Sequence, residues 1–548
     1  MHWTRAVRFL GWAIAVLATV VPVAALAWEQ RHGLPGGIVP IPTPRQRVIL
    51  ARTFAVAAGT AVLATIVAIP AILTLAQARS AAARWLILSL TLLPLLAPPC
   101  VYGYAWMLLS SPQHVAGRVL NAVGLNADGA AGVRAAIAMS AWLWPIPALL
   151  IVAAYRHGGR AAERLALLDA SRGRALLRAT LPAMSSSIAG AALLVFVLAL
   201  NESTIAPLVL ARTWPSEVGP ELLDAALYGS RSRAILWMSW PVIAAAVTAI
   251  AAAWPSLTRA RAAFESDASA DLGRQERPRP ALCHLFVFAL AALIATAAPA
   301  IFVLDLARAR VAIGPAVERA LTLYRHEWQA SLAVASLSML ATALVMFATF
   351  RADRSTLVHR LLVRGLLALA VVTALLPPEL TAELLVFICN RPGLLGRLYD
   401  ETPLVWTLGV LARFILVPLA AAVLLSSRVP IDLVRQARAD GAATPPAMLR
   451  AIWPHVLPVS AAAALLVGCL ALSEVPASLI LTPARYGGPI AVALDNQMHY
   501  GRNADVIVST LILMLPAMVG ATGAAALVLL AGRIRRESVP VRTLDRRG

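Results

Sequence analysis

Apolar residues in this chain fall into long runs separated by short stretches rich in arginine, proline and glycine. An α-helix needs about twenty apolar residues to cross the hydrocarbon of a bilayer, and the runs reach that length, so the pattern predicts membrane spans. A first run follows Arg5 and Arg8 and reaches Trp28. Ala25-Leu26-Ala27 within it resembles a signal-peptidase site, but the run is long enough to span and is read as the first helix. After a Pro/Gly-rich loop from Glu29 to Arg47, spans are expected at 48–76, 85–109, 133–155, 187–211 and 234–256. Residues 257–281 turn polar and charged, without helical apolar periodicity, and read as a linker. Spans are then expected at 282–304, 328–350, 364–388, 403–426, 459–483 and 505–531, before an arginine-rich tail at 532–548. The expected fold is an all-α integral membrane protein of about 12 transmembrane helices, divided into halves 1–256 and 282–531.

The halves repeat. Aligned without a gap, Pro182 meets Pro454, Ala191-Ala192-Leu193-Leu194-Val195 meets Ala463-Ala464-Leu465-Leu466-Val467, and Glu202 meets Glu474. The same register holds as far as Tyr228-Gly229 against Tyr500-Gly501. An even number of spans per half gives both copies one orientation, so the repeats are expected to be parallel.

Composition narrows the function. Apolar residues make up 60% of the chain and charged ones 14%, which no soluble globule of this size could bury. The net charge of +20 sits in short clusters between apolar runs, which suits the positive-inside rule and not a nucleic-acid face. The loops at 156–186 and 427–458, the linker and both termini carry the larger share of arginine, so that side is read as cytoplasmic. Every basic residue is arginine, and a Walker A loop needs its lysine, so any ATP used must be bound by a partner. Cys100, Cys283, Cys389 and Cys469 lie far apart, and the histidines form no HxxxH pair, so disulfides, zinc and any cofactor held by this chain are not expected.

The loops are long for connectors in a helix bundle. Each opens with a short charged helical run (Glu163 to Asp169; Arg435 to Asp440), turns, and continues as an amphipathic run to Pro182 or Pro454, where a span begins. Gly441 supplies the second turn without steric cost. Such a helical elbow offers an apolar knob to a groove on a soluble partner. These segments resemble the EAA loop of ABC importer permeases, whose pattern runs Glu-Ala-Ala, three residues, Gly, nine residues and Ile-x-Leu-Pro. The first copy keeps Glu163, Leu181 and Pro182; Arg164 and Leu165 replace the alanines, and Asp169, followed by Ala170, stands where glycine is expected, with Gly173 able to move the turn. The second keeps Ala437, Asp440, Gly441, Ala442 and Pro454, with Arg435 for the glutamate and Trp453 for the leucine.

Two such loops on one chain resemble the fused permeases of iron(III) and thiamine importers, over almost the whole sequence. That resemblance implies the type I importer fold, a bacterial inner-membrane location with both termini cytoplasmic, two copies of a cytoplasmic ATPase seated on the loops, and a periplasmic binding protein delivering cargo. The family tilts the cargo to ferric iron; thiamine, polyamine and organophosphonate stay open, as does an ion-coupled secondary carrier built from parallel six-span repeats. A membrane-embedded enzyme is disfavoured, because no His, Cys or carboxylate cluster converges on one loop face.

Glu202 and Glu474 stand near the outer ends of spans, where an unpaired charge costs about 2.5–3.5 kcal/mol on the lenient insertion scale. They either line a translocation path with Asn201 and Ser473, or reach the outer surface or an arginine such as Arg212. Pro98-Pro99 and Pro377-Pro378 break the third span of each half, by a kink that either lines a cavity or is absorbed by packing.

Overall fold

The structure is a computed structural model that describes residues 2–32, 43–75, 80–110, 115–122, 127–155, 159–217, 240–248, 251, 281–350, 357–429, 431–441, 445–499 and 504–537. Among them there is no strand. Eight helices are long and apolar enough to cross a membrane, and up to 11 spans result if each of three sharply bent helix pairs counts as one. The chain is therefore an all-α, multi-pass membrane protein. Most of the expected linker, the end of the tail, Tyr228-Gly229, Tyr500-Gly501 and Ala442 lie outside the described residues.

Before the linker come α1 (His2–His32), α2 (Pro44–Leu75), α3 (Ala81–Leu96), α4 (Pro99–Leu109), α5 (Val115–Ala122), α6 (Ala127–Leu143) and α7 (Pro145–Ala154). They are followed by α8 (Arg160–Ala166), α9 (Arg172–Ala175), α10 (Leu181–Leu200) and α11 (Ile205–Leu208). After the linker come α12 (Ala281–Arg308), α13 (Ile313–Leu323), α14 (Arg325–Thr349), α15 (Leu357–Leu375), α16 (Pro378–Cys389), α17 (Leu394–Glu401), α18 (Leu404–Phe414) and α19 (Leu416–Arg428). The chain ends with α20 (Ile431–Ala439), α21 (Pro445–Ser473), α22 (Pro476–Leu481), α23 (Ile490–His499) and α24 (Ala504–Glu537).

Several expected single spans are broken. The paired prolines do more than kink: α3 and α4 meet at 88°. A residue before proline is pushed out of the α region, and Ala97 and Pro98 accordingly take extended ψ values of 145° and 137°. Pro99 then opens the next helix, where its missing N–H costs nothing. Pro377 repeats this with ψ 129°, and Pro378 opens α16. Smaller bends of 50° and 55° separate α6 from α7 and α18 from α19. The spans expected to run to 211 and 483 stop instead at Leu200 and Ser473, each followed by a short buried helix.

Packing recurs from one half to the other. α10 lies on α2 and α7, and α21 on α14 and α19; α11 lies on α4, and α22 on α16. Beyond the short helices, the backbone N–H of Trp214 donates to Thr53 Oγ1 (2.7 Å), as that of Ile490 donates to Ser331 Oγ (2.9 Å). The first helix of each half crosses over. α1 packs on α14, α15, α16 and α18, while α12 packs on α2, α3 and α4. The last helical segments cross too: α24 lies along α3, and Ile243 and Ala246, in the helical residues 240–248, pack with Leu380 and Leu375 respectively. Lipid tails are as apolar as side chains, so such contacts depend on close approach, and α1 buries Ala15 and Ala18 completely against α14 and its neighbours.

Candidate functional site

The first loop folds back on the bundle through its glutamate. Glu163 is 6% exposed, and one of its carboxylate oxygens accepts the Tyr155 hydroxyl from the end of α7. This side chain ties the loop down and is not presented outward. The turn falls at Leu167 to Ala170, with the Asp169 and Ala170 N–H groups donating to Ala166 O (3.3 and 2.9 Å). Asp169 makes it without a positive φ, and Gly173 lies beyond it, in α9. In the second loop Gly441 takes φ +87°, which favours glycine, next to Asp440. Ala437 is buried, and Arg435, at the position of Glu163, is exposed.

The expected stop at Pro182 does not occur. Residues 173–200 form one continuous helix, because a π-turn at Leu176–Thr180 shifts the backbone bonding so that the Leu181 N–H reaches Leu176 O. The proline is thereby absorbed inside the rod. Leu181 is half-buried and Pro182 exposed. Pro454 lies likewise inside α21. On the first loop Leu165, Leu168 and Leu177 are 69%, 78% and 65% exposed, with Arg164, Asp169, Arg174 and Arg178 exposed between them.

At the other ends of these rods the carboxylates are buried. Glu202 accepts the backbone N–H of Thr204 (2.7 Å) and Ile205 (2.8 Å) on one oxygen and that of Ala206 (3.4 Å) on the other. Glu474 accepts from Ala477 N (3.0 Å), Ser478 N (2.7 Å) and Ser478 Oγ (2.6 Å). Each therefore caps the short helix that follows, satisfying donors that a helix N-terminus leaves orphaned. Neither reaches the surface, being 5% and 2% exposed, and Arg212 pairs with Glu217 (3.0 Å), not with Glu202.

Glu474 does find an arginine. Arg413 Nη1 on α18 lies 2.5 Å from its Oε1 and also stands over the Phe414 ring. The two halves meet at the same level. Asn201 Nδ2 donates to Leu375 O (3.0 Å), and the Ser203 hydroxyl donates to Glu379 Oε1 (2.6 Å) at the start of α16. Glu379 also interacts electrostatically with Arg413 and Glu474. Ser473 is buried and its hydroxyl donates to Leu470 O (3.0 Å). Sequence reasoning missed Arg413, Ser203 and Glu379. Arg413 is the one charge in the apolar run 403–426, and a charge inside a span calls for a partner, so that signal was available.

Removing the Ser203 hydroxyl should destabilise the contact between the halves. A hydrogen bond to a charged group contributes about 1.5–3 kcal/mol, so Ser203→Ala is expected to lower the thermal midpoint in detergent, with Ser203→Thr retaining most of it. Equal midpoints for all three proteins would remove Glu379 as the partner that matters.

Among the described residues no three His, Cys, Asp or Glu side chains converge as metal ligands. Cys100, Cys389 and Cys469 are free thiols. No family model matches the chain, and it matches neither a curated protein nor a solved structure.

Proposed function

We propose that this chain is the membrane subunit of an ATP-driven importer, with twelve spans arranged as two parallel repeats of the type I permease fold. The observation that carries the reading is mechanical. In each copy the part of the loop after the turn runs without a break into a spanning helix, Gly173–Leu200 and Pro445–Ser473, that ends beside a buried carboxylate capping the next short helix; for the first copy the rod is 28 residues, about 42 Å at 1.5 Å per residue. A rigid rod of that length delivers displacement of the loop directly to Glu202 and, in the second copy, to Glu474. The exposed leucines of the first loop give a soluble ATPase something to grip. Crossing of the first and last helices between halves supports a pair of bundles that move as mutually braced bodies.

In this reading two copies of a cytoplasmic ATPase seat on the loops, one each, in the bacterial inner membrane with both termini cytoplasmic. ATP closes the ATPase pair, and the closed pair must bind one permease state more tightly than the other, or nothing moves. This chain contributes no hydrolytic chemistry of its own. A periplasmic binding protein delivers the cargo to a path at the level of Asn201, Glu202, Ser473 and Glu474. Ferric iron is the cargo the family resemblance favours, ahead of thiamine, a polyamine or an organophosphonate.

The test is co-purification with the ATPase subunit. Leu165→Asp with Leu168→Asp, and separately replacement of Asp440-Gly441 by bulky apolar residues, should abolish the complex while membrane insertion stays intact. An unchanged ATPase complex from both variants would sink the proposal. The buried carboxylates at helix breaks also suit an ion-coupled carrier. Uptake into proteoliposomes driven by an ion gradient, without any ATPase, would favour that alternative.

A further inference from the structure

A cleft of about 510 Å³ opens on the outer wall of the first half, between α2 and α6. Its apolar walls are Val56, Gly59 and Leu63 on α2 and Gly132, Val133 and Ala136 on α6. At one end stand Arg52 and Arg212, held by Asp128 (2.8 Å) and Glu217 (3.0 Å). Both arginine side chains are substantially exposed, and one carboxylate each leaves N–H donors to spare. Counting Asp128, the lining carries one net positive charge.

We propose that this cleft is a binding site for one phospholipid, its phosphate met by Arg52 and Arg212 and an acyl chain lying in the groove. The dimensions fit. Arg52 is the last charge before an uncharged run through residue 75, so it marks the edge of the hydrocarbon. From Arg52 to Leu63 the helix rises about 16 Å, against about 15 Å for one leaflet of a ~30 Å core. The neighbouring Val62 and Ile66 are 56% and 57% exposed on the same long apolar helix, which suits a wall turned to the hydrocarbon. The groove exists because the side chains there are small. A Cβ added at Gly132 would sit 3.6 Å from Val56 Cγ2, ordinary contact, so the first atom of a larger side chain is accommodated on the cleft wall.

The experiment is native mass spectrometry of the purified, delipidated protein after adding back phosphatidylglycerol, diacylglycerol or inorganic phosphate. One phosphatidylglycerol should be retained per chain, with a matching rise in thermal midpoint, and neither of the other additives should act alike. Loss of a charge-assisted hydrogen bond weakens binding by roughly ten-fold or more, so Arg52→Gln with Arg212→Gln should reduce retention at least that far. Gly132→Leu should do the same with both arginines intact, which guards against misfolding of the double variant. Equal retention in wild type and Gly132→Leu, or equal stabilisation by diacylglycerol or by phosphate alone, would overturn the site.

Discussion

Replacing Arg413 with alanine should produce the largest loss of stability of any single change considered for this protein. The residue compensates Glu474, whose side chain is fully buried, while the Arg413 side chain is one-quarter exposed. Removing one partner of a buried pair leaves the other charge without compensation, at a cost of about 3–5 kcal/mol; the partial exposure of Arg413 places the expectation at the lower end. The capping bonds from Ala477 and Ser478 remain, but they carry no countercharge. A large drop in thermal midpoint in detergent is therefore expected for Arg413→Ala. The double variant Arg413→Ala with Glu474→Gln should recover most of it, because glutamine keeps an acceptor for the short helix and brings no charge. If the single and double variants unfold alike, Arg413 is not balancing Glu474.

The second large effect is expected at Gly11. A Cβ at this position would run into the Leu344 carbonyl oxygen and lie 2.7 Å from Ala348 Cβ on α14. The obstacle is partly backbone, so the helix itself has to retreat. Overpacking of a tight interface costs about 1–3 kcal/mol, and leucine adds branches to the collision. Gly11→Leu is thus expected to lift α1 from α14 and lower the thermal midpoint, with Gly11→Ala intermediate. Faster proteolysis at the N-terminal end would accompany it. A Gly11→Leu protein as stable as wild type would mean that α1 does not dock as described. The same measurement bears on the Ala25-Leu26-Ala27 segment, because a protein processed there would not feel the substitution at all.

The helices were legible because hydrophobicity is a local, additive property. Runs such as 48–76 and 328–350 announced α2 and α14 within a few residues. The proline pairs announced a break, though not its angle: whether a freed backbone group bends a helix mildly or by 88° depends on which neighbours can satisfy it. The loops announced their short helices and the glycine turn at Gly441. They did not reveal that Glu163 faces inward to Tyr155, because that depends on how the chain is directed between the end of α7 and α8, which hydrophobic pattern does not encode.

The glutamates mark the boundary most clearly. The sequence alone determined that Glu202 and Glu474 lie in apolar surroundings and must be compensated, since the desolvation penalty of a charge follows from its immediate stretch of chain. Only the tertiary structure decided how: by capping a short helix that the apolar pattern had merged into the preceding span, and, for Glu474, by an arginine 61 residues away in sequence. The caps are local, reaching only two to four residues ahead, but the arginine rests on contact between segments far apart in the chain. Burial can be read from one run of residues, but a partner is fixed only when separate helices converge.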